Sequence, residues 1–209
     1  MSTFAKEFDI GPSNVQISVV SYSTRVMENF NLKRYPNKAD LINAIHRIPY
    51  LSGSTHTSEA INFVRQHSFT PGAGDRPPVT DVLFVVTDGQ SISPTNTKHA
   101  ADLAHQAGIK TFAIGVGSSI SKQELQNIAS DPQHVFHVST FDALHQLQSE
   151  LRNKTCEGKR GKRNPHILKL YWTRLPSRKR AVIARLKLNK TVENRNYLYL
   201  SDGEGGLNC

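Results

Sequence analysis

Asp81-Val-Leu-Phe-Val-Val-Thr87-Asp88-Gly89 is the stretch on which the fold turns. Its apolar run is unbroken, rich in β-branched residues, and shows no in-out alternation. A strand of that kind is covered on both faces, as in a parallel sheet. The run ends abruptly in a carboxylate followed by a glycine, which allows a sharp turn and leaves Asp88 facing a crevice. In open α/β sheets, ligands bind beyond the carboxyl ends of the strands.

Outward toward the C-terminus, residues 94–107 read as a helix stopped by Gly108, and residues 109–116 as a second buried strand. Ser121 is placed to cap a helix running to Ile128, with Glu124 in the capping-box position. A short strand over 134–138 and a last helix over 141–151 follow. Outward toward the N-terminus, residues 71–78 form a Gly/Pro loop, and residues 57–67 and 37–48 carry helical spacing. Residues 25–30 read as a short strand, and Val15, Ile17 and Val19 alternate as a longer one. Residues 3–8 look like the end of a helix closed by Gly11-Pro12. Strands separated by helices in this rhythm predict an α/β fold: a doubly wound, mostly parallel sheet with helices on both faces. The short strand at 25–30 is its expected antiparallel edge.

Charge divides the chain in two. Residues 1–156 hold thirteen Lys/Arg and thirteen Asp/Glu, whereas residues 157–209 hold thirteen and four. The formal charge of +9 therefore sits in the last quarter of the chain. This sets a domain over 1–156 apart from a basic tail over 157–209, read as irregular and poorly ordered. Within the tail, residues 167–172 and 181–188 have some strand character, but their Arg and Lys density leaves no clean buried face. The basic clusters at 159–163 and 178–180 offer an alternative function as a site for heparin-like polyanions or nucleic acid. They lack the spaced aromatics of a single-strand binder, so a solvated tail is favoured over nucleic-acid binding. No apolar run is long enough to span a membrane, and the first residues lack the apolar core of a secretory signal. Read literally, the chain would remain inside the cell, which permits a third reading as an intracellular scaffold.

Two segments offer oxygen ligands. Asp88 is one; Ser52-Gly-Ser-Thr55-His-Thr57-Ser, which precedes a helix, is the other. One carboxylate with hydroxyls from separate loops suits a hard cation such as Mg²⁺, which retains several waters. A helix cap and a turn would use the same residues. Gly115-Val-Gly117 follows a late strand and lacks a third glycine, so a dinucleotide site is not expected. With no nucleophile elbow and no ordered triad, an enzyme is the least favoured reading.

Four blocks in order carry a resemblance. Asn14-Val-Gln-Ile-Ser-Val-Val-Ser-Tyr-Ser resembles the second strand of von Willebrand factor type A domains. Gly53-Ser-Thr55-His-Thr57-Ser-Glu-Ala-Ile is similar to the family's threonine loop, and Leu83-Phe-Val-Val-Thr-Asp88-Gly-Gln-Ser91 to its aspartate loop. Gly108-Ile-Lys-Thr-Phe-Ala-Ile-Gly-Val-Gly117 resembles its next strand. The likeness covers residues 1–156 and is greatest to the A domains of matrilins and type VI-like collagens.

The resemblance implies a non-enzymatic, extracellular protein-binding module whose partners are matrix proteins such as collagen. It also implies a metal-ion-dependent adhesion site holding Mg²⁺ or another divalent cation, with Thr55 and Asp88 as ligands. The family's Asp-x-Ser-x-Ser segment, which follows its first strand, has no counterpart in this sequence. The implied site is therefore incomplete, and the domain reads as truncated at its N-terminus. The absent strand is a central one, between those matching 15–20 and 82–87. Its loss predicts an unstable or aggregation-prone chain unless the tail or a partner fills the gap. Cys156 matches the family's C-terminal flanking cysteine, with no identified disulfide partner; from the residues alone, a pairing with Cys209 and two unpaired thiols are both open. Asn153-Lys-Thr155 and Asn189-Lys-Thr191 are glycosylation sequons, at Asn153 and Asn189, that matter if the chain is secreted.

Overall fold

The computed structural model describes residues 5–49, 51–77 and 79–156, together with the backbone of 168–170 and 181–187. Strand β1 (Gln16–Tyr22) is buried along its whole length, and β2 (Val26–Phe30) returns antiparallel beside it at the sheet edge. Helix α1 (Lys38–His46) starts where the Asn37 side chain accepts the Asp40 amide at 2.9 Å, and it buries Leu41 completely. Helix α2 (Thr57–Phe63) runs into one wider turn at Val64–Ser68, a π-turn that the 57–67 helical spacing did not signal.

Strand β3 (Val82–Thr87) is buried at all six positions, as its unbroken apolar sequence requires. Helix α3 (Pro94–Gln106) has Ser93 as N-cap and Pro94 at the first position, where a missing N–H costs nothing. It buries Thr97, Ala100, Ala101 and Ala104, small side chains that let the helix approach its neighbours closely. Gly108, at φ +78°, then reverses the chain into β4 (Lys110–Val116). Helix α4 (Lys122–Ile128) and β5 (Val135–Val138) complete a second crossover. The last helical region differs from the expected helix over 141–151. A 3₁₀ stretch at Asp142–Leu147 leads into α5 (Gln148–Cys156).

Strands β3, β4 and β5 pair in parallel, and the full strand order is β2-β1-β7-β3-β4-β5. Strand β7 (Ala181–Lys187) comes from the basic tail and lies antiparallel to both β1 and β3. The central position left empty by the sequence resemblance is therefore taken by a tail segment. That segment is one of the two with strand character; the other contributes β6 (Leu168–Leu170), which pairs with β7. Of the tail, only the backbone of residues 168–170 and 181–187 is described. The basic clusters at 159–163 and 178–180 lie outside the described residues.

The core runs along this sheet. Phe84 and Phe112 stack at 4.8 Å between ring centroids, both fully buried, and tie β3 to β4. Among the described residues no helix is long and apolar enough to cross a membrane.

Candidate functional site

Strands β1 and β3 both run antiparallel to β7, so their carboxyl ends emerge on the same rim of the sheet. Each end leads into a loop, and backbone hydrogen bonds stitch the loops together. The His56 amide donates to Ser23 O at 3.1 Å, fastening the threonine loop to the end of β1. The Ile92 amide donates to Thr55 O at 3.1 Å, fastening the same loop to the aspartate loop. A Cβ built on Gly89 would stand 4.0 Å from Thr55 Oγ1, so Thr55 and the residue following Asp88 are direct neighbours. Thr55 and Asp88, 33 positions apart in sequence, meet at one place.

Local chemistry explains the loop shapes. Gly53 has φ +134°, and a Cβ there would lie 2.3 Å from Thr24 Oγ1. No other residue fits without displacing the Thr24 side chain, whose hydroxyl accepts the Ser54 amide at 3.0 Å. Thr87 Oγ1 donates to Gly89 O at 2.7 Å, which folds the chain sharply after β3 and sets Asp88 at the apex. Thr55 is buried to 7% exposure, and Asp88 is half-buried.

Beneath the rim lies a polar layer that the sequence did not reveal. Glu124 is only 5% exposed, and both its carboxylate oxygens accept the Ser91 amide, at 3.2 and 3.1 Å. The expected capping box is therefore half-formed. Ser121 Oγ does accept the Glu124 amide, but the Glu124 carboxylate reaches across to the aspartate loop. A capping motif specifies the helix start; only the placement of α4 against the rim decides where the carboxylate goes. Ser91 and Thr57 belong to the same layer. Ser91 Oγ accepts from Thr97 Oγ1 at 2.9 Å, and Thr57 Oγ1 lies 3.5 Å from Tyr22 Oη. The Tyr22 phenol is held well above its usual pKa, first by burial and further by the charges of Glu124 and Asp88; hydrogen bonds with Thr57 and Thr87 oppose this. Tyr22 is thus a neutral hydroxyl at any ordinary pH.

The other sequence-selected residues lie elsewhere. Asn153 is exposed on α5, but the Thr155 hydroxyl of its sequon is buried and donates to Leu151 O at 2.6 Å. Cys156 ends α5; Asn189 and Cys209 lie outside the described residues. A separate concavity of about 340 Å³ lies between β2 and α1, lined by Phe30, Tyr35, Asp40, Arg47 and Ile48 among others. It contains none of the residues chosen from sequence.

With this geometry in view, comparison with known proteins is decisive. The von Willebrand factor type A domain family model matches residues 1–150. The chain belongs to the von Willebrand factor type A family. Human matrilin-1 is 34% identical over 158 residues, which cover 75% of this chain and 31% of matrilin-1. The human collagen alpha-6(VI) chain is 34% identical over 161 residues, covering 75% of this chain and 7% of the collagen. The transmembrane cell adhesion receptor mua-3 of Caenorhabditis elegans is 34% identical over 157 residues, 73% of this chain and 4% of the receptor. Among solved structures, proximal thread matrix protein 1 from the mussel byssus superposes with a TM-score of 0.65 at 28% identity. The match covers 68% of this chain and 36% of that protein, whose structure is described as having a zinc-occupied MIDAS motif. The chain thus spans a third or less of the length of these sequence relatives.

The residues at the rim fit a divalent cation in kind. Asp88 and Thr55 offer oxygen donors of the type hard cations select. The set is sparse in number, because among the described residues no three His, Cys, Asp or Glu side chains are grouped to hold a metal. The second carboxylate nearby, Glu124, is engaged by the Ser91 amide.

Proposed function

We propose that this von Willebrand factor A domain is a protein-binding module of the matrix and adhesion type, not an enzyme, and that it meets its partner at the rim built by Thr55 and Asp88. The single observation supporting this reading is the contact between the two loops, fixed by the Ile92 amide on Thr55 O. Relatives that are by name a matrilin, a collagen chain and a cell-adhesion receptor make matrix proteins such as collagen the favoured partner class, in an extracellular setting.

Asp88 and Thr55 would hold a divalent cation such as Mg²⁺, whose remaining positions are filled by water and by an acidic group of the partner. With one rim carboxylate the affinity is low, because each anionic ligand contributes strongly to binding of a hard cation. The test is calorimetric titration of the chain with Mg²⁺ and Mn²⁺, beside Asp88→Ala. The expected result is a weak isotherm that Asp88→Ala abolishes while thermal unfolding stays within about 0.5 kcal/mol of the parent. Identical traces would remove the cation from the reading. A surface coated with fibrillar collagen then reports partner binding directly, with loss on Asp88→Ala as the expected outcome.

A further inference from the structure

The last two turns of α5 hold one side chain apart from the body of the domain. Leu151 and Thr155 are buried. Arg152 Nη1 donates to Glu7 Oε2 at 3.2 Å, and Lys154 Nζ donates to Gln133 Oε1 at 3.4 Å. The Lys154 carbonyl accepts from Lys110 Nζ at 2.8 Å. Between these contacts Asn153 is exposed, and it continues an outward stripe that includes Ser149 and Glu150 at helical spacing. Among the described residues its side chain makes no hydrogen bond. A bulky group on its amide would therefore displace no contact.

Asn153-Lys-Thr155 is an acceptor pattern for an N-linked glycan, in which the hydroxyl two positions on assists the carboxamide nitrogen. The folded helix forbids that assistance. Residues two apart point to different faces of a helix. Thr155 Oγ1 is also taken, donating to Leu151 O at 2.6 Å inside the core. The sequon can react only while α5 is open. Synthesis provides that interval. Nine residues are too few for a stable helix in isolation, so α5 waits for its packing surface. Strand β7 is made after α5, so the described sheet is completed only once the sequon has emerged.

We propose that Asn153 carries an N-linked oligosaccharide, added before α5 docks. The proposal rests on the extracellular reading above. Asn153 Nδ2 attacks C1 of an oligosaccharide held on a lipid diphosphate. The new C–N bond replaces the C–O bond to the diphosphate, which leaves, and one Nδ2 proton is released. Once α5 docks, the glycan projects from the pole opposite the rim. Lys110, bonded to the last turn of α5, pairs with Val82 at the start of β3. Asp88 follows the other end of that strand, six residues or about 20 Å away. The rim therefore stays open to a protein partner.

The full chain carrying Asn189→Gln, which removes the second sequon, is synthesised behind a cleavable secretion leader in the presence of microsomes. The expected result is a single glycosidase-sensitive mass shift. It is lost completely in Asn153→Gln and in Thr155→Val, which keeps the buried shape without the hydroxyl. No shift in the Asn189→Gln chain overturns the site, as does a shift that survives Asn153→Gln. Because the leader supplies entry, a missing shift counts against Asn153 alone. Glycan-free protein from its native source, beside a shift in microsomes, counts instead against the extracellular setting. The order of events is tested on purified, glycan-free Asn189→Gln chain given to detergent-solubilised microsomes with lipid-linked oligosaccharide. The folded chain is expected to stay unmodified, and the same chain with Leu151→Ala, whose helix docks poorly, to gain the shift. Equal outcomes in the two chains, modified or unmodified, overturn helix docking as the barrier.

Discussion

The two halves of the sheet are built by different rules. Strands β3 and β4 are each followed by a helix and the next parallel strand, so the β3–β4 and β4–β5 pairings are dictated by nearby crossovers. Strands β1 and β2 form a hairpin whose strand pairing to the other half, among the described residues, runs through β7, contributed from the basic tail. One half is specified locally; the other depends on a single long-range insertion. Yet the rim draws one loop from each half, Thr55 following the hairpin side and Asp88 the crossover side. The proposed binding rim therefore depends on cohesion across the least locally specified junction among the described residues.

Breaking that junction has the largest expected effect. Ile183→Asp places a charge opposite Val20 and Val85, both fully buried. The expected cost is about 3–5 kcal/mol, enough to abolish a cooperative melt. Hydrogen exchange would sharpen the comparison: β1 amides lose protection first, and β3–β4 amides retain more. Equal protection in both halves would show that β7 does not join them.

A smaller effect is expected at Glu124, which ties α4 to the aspartate loop. Glu124→Ala leaves the Ser91 amide buried without its acceptor, at a cost of about 1–3 kcal/mol in urea unfolding. Because the carboxylate is not at the rim surface, the loss is in stability and in the definition of the aspartate loop. Unchanged unfolding in Glu124→Ala would mean that the loop is held by Thr55 and Thr97 alone.

The smallest effect lies in the crossover half and depends on pH. His134 is held down to about pKa 4, first by burial and then by the charge of Lys110, with its ring 4.2 Å from that of Phe112. Its folded pKa is below the ordinary value near 6.5, so the unfolded chain binds the extra proton. The stabilisation is complete above about pH 6.5 and is lost as pH falls toward 4. Because the ring is half-exposed, screening limits this to about 1 kcal/mol. Urea melts at about pH 7.5 and pH 5 would show the loss in the parent and its absence in His134→Gln.

Much of the molecule was legible in the residues. The unbroken apolar run at 82–86 read as a strand covered on both faces, and the Ser121 cap starts its helix where expected. The position of Asp88 at the end of β3, and of Thr55 in the loop ahead of α2, followed from the same order of elements. Other features were not legible. The wide turn at Val64–Ser68 and the 3₁₀ stretch at Asp142–Leu147 are only 5 and 6 residues long, too short for residue spacing to separate their periods from that of an α-helix. The Glu124 carboxylate looked like half of a local capping box, and its true partner is 33 residues away.

By itself, the sequence determined which segments are strands and helices, and that one oxygen-bearing loop follows a strand while the other precedes a helix. Those are short-range matters, set by burial periodicity, caps and glycine turns. Only the tertiary structure decided that the loops are bonded to each other, that a glutamate supports them from below, and that a tail segment rich in cations occupies the centre of the sheet. Such pairings depend on which distant surfaces exclude water together, and no local propensity records that.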